Sequence, residues 1–245
     1  MCYHISMNFA ELQPKVVLGI AAHPDDLDFG ASGTMARYAG EGASVYYLIV
    51  TDGSKGTDDR SLTPAQLIQI RQNEQRAAVQ AVGGKDVFFL GYPDGGLEVT
   101  MDLKRDIVRV IRQVKPDVVI TMDPSLLYVA ERGFINHPDH RAASQAALDS
   151  VFPLARDHLS FPDLFAQGFE PHKTPTVLLI RLDGNANFSV DITSTIEVKK
   201  AALAAHASQI ADIEKTFGWV KQLAAEAGGK AGSAYAESFM RIDVN

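Results

Sequence analysis

The chain has 245 residues, 46% hydrophobic and 22% charged, an ordinary globular balance with enough apolar surface for a substantial core. A net charge of −7, with Lys199–Lys200 as the longest basic run, excludes the clustered cationic face that neutralises nucleic-acid phosphates. Cys2 is the only cysteine, so no disulfide forms within the chain, which fits a reducing, cytoplasmic setting.

The opening residues show neither a positive n-region nor an apolar h-region, so no signal peptide is expected. Apolar runs such as Val16–Ala22 are too short to span a bilayer. That run has strand length, and Val45–Val50, Val87–Leu90, Val118–Thr121 and Val177–Ile180 repeat the type. Runs that are apolar at every position belong to strands buried on both faces, as in parallel sheets. Helical stretches lie between them. Ala31–Ala39 is short and Ala-rich; Pro64–Val82 follows the cap-like Thr63 with Pro at the first helical position. In Leu103–Val114, Ile107, Val110, Ile111 and Val114 share one side, and Pro116 stops the helix.

Residues 152–176 lose periodicity and read as an irregular excursion. An edge strand is expected at Asn185–Val190, one or two helices over Thr193–Ala227, and a loop at Gly228–Ser233. Strand–helix alternation in units of about 30 residues predicts an α/β fold. Its sheet is mostly parallel and doubly wound, Rossmann-like, with helices on both faces. The expected organisation is one domain over residues 1–245, its sheet core within 15–150 and its excursion, edge strands and last helices within 151–245.

Two segments concentrate chemistry. Ala21–Gly30, AAHPDDLDFG, follows the first buried strand, and open α/β sheets bind ligands at the carboxyl ends of their strands. The turn has His, Pro and two carboxylates where a dinucleotide fingerprint needs three glycines. Asp25 and Asp26 repel unless a cation offsets them, although a solvated turn with one of them capping the next helix is the plainer alternative. Asn136–Arg141, NHPDHR, follows the Val118–Thr121 strand and opens a helix at Pro138. His137 and His140 fall on one side of its first turn, where neutral imidazoles suit the helix dipole better than charged ones; a polar helix cap is the alternative.

Together the segments supply His23, Asp26 and His140 as ligands for one Zn²⁺, and leave Asp25 and His137 as an acid/base pair. Fe²⁺ or another divalent ion fits the same donors. Two rivals stay open: an Fe(II) enzyme using the same two-His, one-carboxylate triad, and a sugar- or metal-binding module without turnover.

HPDD after the first strand with HPDHR later resembles the LmbE-like, or PIG-L, family of zinc-dependent N-acetylglucosaminyl deacetylases. Further matches are Thr51–Gly53 (TDG), Arg71 with Glu74, Leu90–Leu97 (LGYPDGGL), Asp191–Thr193 (DIT), Lys200–Gln209 (KAALAAHASQ) and Tyr235–Phe239 (YAESF). The resemblance implies a Rossmann-like fold, Asp25 as general base and His137 as oxyanion stabiliser, acting if protonated. It also implies that Arg71 and Asp94 contact the sugar. Many members have Glu after HPDD; here Leu27 follows, with the acid one place later at Asp28. Where some members have a tyrosine two places before the first His of HPDH, this chain has Ile135, so that role is empty or filled from elsewhere, with Tyr128 as a candidate. His206 reads as structural. The implied partner is an N-acetylated sugar or related small amide, cleaved by metal-activated water, and a homo-oligomer remains open.

Overall fold

A computed structural model describes residues 11–181 and 185–244; Cys2 and Asp183 lie outside them. The chain runs β1 (Val16–Ala21), α1 (Asp26–Gly30), α2 (Ser32–Gly40), β2 (Ser44–Thr51), α3 (Pro64–Val82), β3 (Asp86–Tyr92), α4 (Met101–Val114) and β4 (Val118–Met122). A small hairpin, β5 (Tyr128–Val129) and β6 (Phe134–Ile135), leads into α5 (Pro138–Asp149). Then follow α6 (Pro162–Ala166), β7 (Thr176–Ile180), β8 (Phe188–Asp191), α7 (Ile196–Ala204), α8 (Ile213–Ala231) and β9 (Ala236–Asp243). No helix among the described residues is long and apolar enough to cross a membrane.

Seven strands form one sheet in the order β3-β2-β1-β4-β7-β9-β8. β3, β2, β1, β4 and β7 pair in parallel, while β9 runs antiparallel to both β7 and β8. The continuous apolar runs have the predicted cause. In β1, Val17 and Ala21 pack into one core layer and Leu18 and Ile20 into the other, so both faces are covered.

Three expectations change. β9 is not expected from the sequence, because AESFMRID mixes charge into the strand; its Glu237 is buried by an ion pair that only the fold supplies. The predicted edge strand is shorter and begins at Phe188. α8 continues through Gly228 and Gly229 to Ala231, where a loop is expected. A Cβ on Gly228 would meet backbone atoms of Ser233 and Ala234 at 2.7–2.8 Å, so the glycine lets the chain turn back tightly against the helix. The irregular excursion is pinned by buried Arg112 of α4. Its Nε donates to the carbonyl of Ala155 (3.1 Å), and its Nη2 to those of Leu154 (3.0 Å), Asp157 (2.7 Å) and Ser160 (2.9 Å).

A buried ion pair ties the late elements to the first turn. Lys199 of α7 lies 2.6 Å from Glu237 of β9 and also donates to the carbonyls of Asp28 (3.0 Å) and Phe29 (2.7 Å). Glu237 accepts the backbone N–H groups of Gly33 (3.1 Å) and Thr34 (2.7 Å) in the first turn of α2. Glu237→Ala leaves the Lys199 ammonium buried without its counter-ion and should cost about 3–5 kcal/mol in urea unfolding. The double variant Lys199→Met/Glu237→Leu should recover most of that loss; equal instability in both variants would show that packing, not charge, sets the cost.

Candidate active site

The candidate site forms at the carboxyl ends of β1, β3 and β4. Between β1 and α1, Asp25 adopts φ 95° and ψ −30°, a left-handed conformation that costs a residue with a Cβ on the order of 1–3 kcal/mol. Several hydrogen bonds hold the turn there. The Asp25 N–H donates to Gln75 Oε1 (3.0 Å), and the Asp25 carbonyl accepts from Asp28 (2.8 Å) and Phe29 (3.0 Å). Arg71 Nη2 donates to the Pro24 carbonyl (2.7 Å) and Nη1 to that of Gly53 (3.0 Å). Behind the turn, Asp28 accepts from Gln75 Nε2 (2.9 Å) and Tyr47 OH (3.3 Å), and it pairs with His206 Nε2 (2.8 Å).

His23, Asp26 and His140 come together in front of that turn. His140 Nε2 lies 3.2 Å from His23 Nδ1 and 3.0 Å from Asp26 Oδ1, and His23 Nδ1 lies 3.6 Å from Asp26 Oδ2. Donors bound at about 2.0–2.1 Å with tetrahedral angles stand roughly 3.3–3.4 Å apart. The outer nitrogens fix the tautomers. His23 Nε2 faces Asp94 Oδ1 (3.1 Å) and Asp139 Oδ2 (3.4 Å), and His140 Nδ1 faces Asn136 Oδ1 (3.1 Å). Asn136 uses its Nδ2 on the Leu126 carbonyl (2.8 Å), which sets the direction of its amide. These outer partners accept only, so the protons sit outward and the inner nitrogens offer lone pairs to the shared space. Two neutral nitrogens and a carboxylate meeting there suit a divalent cation.

The electrostatics agree. Burial alone would lower the His23 pKa, but hydrogen bonding and charge from Asp26, with Asp94, raise it to about 9. Burial works against ionised Asp26 as well, yet His140 and then His23 hold its carboxyl far below the usual range. Without a metal, a proton therefore takes the cation's place. Asp25 behaves oppositely: burial first, then the neighbouring Asp26 charge, push it up to about 7, with Arg71 at 3.4 Å offsetting part.

His137 stands beside the trio: one nitrogen from each of His23, His137 and His140 lies within 4.8 Å of the other two, close enough for these three also to share a cation. It caps α5: its Nδ1 accepts the Asp139 N–H (3.2 Å), which leaves the ring proton on Nε2. Burial, then the His23 charge, lower its pKa. A protonated His137 thus does not suit this position, whereas a neutral N–H donor does. Arg71 and Asp94 are 4% and 5% exposed. Asp94 is engaged by His23 and by the Lys55 N–H (2.9 Å), so both residues are turned into the protein rather than toward open solvent. Tyr128 pairs with Ile135 across the β5–β6 hairpin, both exposed. A second acidic group on the outer side of His23, Asp94 with Asp139, already accepts backbone N–H groups. Asp139 takes those of Gly95 (2.6 Å) and Leu97 (3.1 Å), which marks the pair as support for the imidazole.

Residues 18–151 match the PIG-L family, GlcNAc-PI de-N-acetylase. The chain is 33% identical to diacetylchitobiose deacetylase of Thermococcus kodakarensis over 91% of its own length and 81% of the relative's. Its fold superposes on N,N′-diacetylchitobiose deacetylase from Pyrococcus horikoshii with a TM-score of 0.85 at 31% identity, covering 94% of this chain and 84% of that one. GalB, the 4-carboxy-2-hydroxymuconate hydratase of Pseudomonas putida KT2440, shares the fold at a TM-score of 0.77 and 22% identity, covering 94% and 97%. The chain belongs to the PIG-L family. It is an enzyme of the deacetylase kind, a hydrolase of C–N bonds other than peptide bonds.

Two polar residues at the site have no role assigned by the sequence. Gln75 follows Arg71 by one turn on α3, so helical spacing from a chosen residue is the signal that finds it; Asn136 stands just before the N-cap of α5 at the start of the NHPDHR segment, and its place in that segment is the signal. Gln75 is held by Asp28, which makes it the anchor of the strained Asp25 backbone. Gln75→Leu should lower kcat toward ~10²-fold through a displaced Asp25, with KM little changed. Steady-state kinetics and a melting curve on the same protein check this: full kcat with a lowered Tm would confine Gln75 to stability.

Proposed function

We propose that the chain, acting as one catalytic domain, is a metal-dependent deacetylase of N-acetylglucosamine-type compounds. In this reading His23, Asp26 and His140 hold the metal, Asp25 is the general base and His137 donates to the oxyanion. The observation that carries it is the pair of inward lone pairs, His23 Nδ1 and His140 Nε2, beside the Asp26 carboxylate. Zn²⁺, or Fe²⁺ in its place, would supply Lewis acidity toward water and the acetyl carbonyl when bound there.

The chain's own groups do the rest. Asp25 takes a proton from the attacking water and returns it to the leaving amine; burial and Asp26 keep its proton affinity high enough for both roles. The neutral His137 Nε2–H donates to the oxygen that gains charge, a contact of a type worth about 10²–10³ in rate. Arg71 steadies the Pro24 and Asp25 positions, and Asp94 holds the His23 ring; any contact of either with the sugar comes after that duty. The family and its named relatives support the N-acetylated sugar, and the single cysteine supports a cytoplasmic setting. The redox alternative loses support because its familiar cases are all-β jelly rolls, whereas this sheet is mostly parallel and helix-covered.

Deacetylation of N-acetylglucosamine derivatives, followed as released acetate with metal analysis of the same sample, tests the reading. His140→Ala should lose metal and activity together. Asp25→Asn should keep the metal while turnover falls about 10²–10⁴-fold. Loss of metal in Asp25→Asn would make Asp25 a ligand.

The His23 shift sets a pH dependence. At pH 7 the metal-free imidazole, with its pKa near 9, carries a proton that the metal must displace. Apparent metal affinity should therefore rise about tenfold per pH unit from 7 and level off near 9, as measured by competition with a chelator of known affinity. A flat profile would show that His23 is already neutral at pH 7 in the metal-free protein, against the raised pKa. Asp25, raised to about 7, gives activity an acid limb that falls as pH drops through its pKa; a bound cation moves that limb lower.

A further inference from the structure

His206 is fully buried, and the reaction proposed above gives it no part. It stands just beyond α7, at the start of a short segment that docks onto elements of the candidate site. His206 Nε2 lies 2.8 Å from Asp28 Oδ2. Ser208 donates twice to Glu74 of α3, from its backbone N–H (2.7 Å) and from its hydroxyl (2.7 Å). Gln209 Nε2 donates to the Gly56 carbonyl (2.9 Å), in the loop beside Arg71.

From His206 the hydrogen bonds lead to Asp25. Gln75 Oε1 takes the Asp25 N–H (3.0 Å), which turns its Nε2 toward Asp28 Oδ2 (2.9 Å). Asp28 is therefore the acceptor, and the proton of His206 sits on Nε2. The other Asp28 oxygen meets Tyr47 OH at 3.3 Å, a longer contact than the one from His206.

We propose that His206 is a positioning residue of the reaction: it fixes the Asp28 carboxylate and, through Gln75, the backbone that carries the general base Asp25. This rests on the deacetylase reading above and on its assignment of Asp25.

Two observations separate the proposal from plain packing. Asp28, Gln75 and His206 are all 0% exposed, so bulk solvent does not stand in for a missing donor. An Asp28 carboxylate released by His206 turns away, and Gln75 loses the acceptor that orients its amide. A flipped amide would set its NH₂ against the Asp25 N–H, donor against donor. The Asp25 backbone, at φ 95°, persists only while its surroundings over-determine it, so the lost brace is felt there. The second observation is His206 Nδ1, which is buried and has no hydrogen-bond partner among the described residues. An unpaired buried nitrogen costs stability, so packing alone favours an apolar side chain of this size. What the imidazole adds is one N–H aimed at Asp28.

His206→Met keeps the bulk and removes the donor. It should lower kcat about tenfold with KM within about twofold, because only the base is displaced. His206→Gln, whose amide N–H reaches toward the same carboxylate, should recover most of the loss. A double variant with Gln75→Leu tests the route. If His206 acts through Gln75, the double variant is no slower than Gln75→Leu alone, whereas independent sites multiply their losses. A crystal structure of His206→Met should show Gln75 Oε1 released from the Asp25 N–H, and metal content should match wild type. Full kcat with a lowered Tm would overturn the inference, and so would multiplied losses in the double variant. Loss of metal from His206→Met would also overturn it, by placing the effect on the ligands. Should His206→Met fail to fold, His206→Asn, whose amide stops short of Asp28, takes its place with the same expected outcomes. A wild type that deacetylates no N-acetyl sugar would count against the proposed reaction instead. The crystal structure would still decide the brace, and an unmoved Asp25 turn would overturn it.

Discussion

The outward hydrogen bonds of two imidazoles govern the rest of this site. Asp94 and Asp139 accept a hydrogen bond from His23 Nε2–H, and Asn136 Oδ1 accepts one from His140 Nδ1–H. Those contacts leave Nδ1 of one ring and Nε2 of the other with lone pairs, 3.2 Å apart and both near Asp26. Two lone pairs and a negative charge repel at that distance unless something positive lies between them. In the metal-free protein a proton on His23 does so; in the enzyme proposed here a divalent ion does. In the proposed enzyme, replacing Asn136 or Asp94 would therefore disturb the metal without touching a proposed ligand.

The fold makes this arrangement affordable by gathering distant segments at one edge of the sheet. The parallel order brings the ends of β3, β2, β1 and β4 to one edge of the sheet, so His23, Asp94 and the His137–His140 segment meet although they lie far apart in sequence. The turn after β1 is the costly element, with Asp25 in a left-handed conformation. Its support comes from α3 through Gln75 and Arg71, and from α7 and β9 through Lys199 and Glu237. The last third of the chain thus buttresses a turn near its start. The same fold in a hydratase shows that the sheet alone does not choose a reaction; the groups at its edge do.

Much of this was legible from residue order. Buried strands announced themselves as unbroken apolar runs because a parallel sheet covers both faces. HPDD and NHPDHR stood out because carboxylates and imidazoles crowd at strand ends, where ligands bind. What escaped has a common cause: it depends on pairings across long sequence separations. β9 carries Glu237, Arg241 and Asp243, and its charge pattern reads as a strand only once Lys199 is placed opposite Glu237. Gln75 and Asn136 are ordinary polar residues until the turn they brace and the ring they orient are in position. The family resemblance implied a His137 acting if protonated, but its place as the cap of α5 uses Nδ1 as an acceptor, and burial lowers its pKa, both of which favour the neutral ring.

The most direct test is anomalous diffraction from crystals of the protein loaded with Zn²⁺. The account predicts one peak within about 2.0–2.2 Å of His23 Nδ1, Asp26 and His140 Nε2, with His23 Nε2 still turned to Asp94 and the Asp25 carboxylate outside bonding distance. A peak held by His137, or one on the far side of His23 between Asp94 and Asp139, would contradict it.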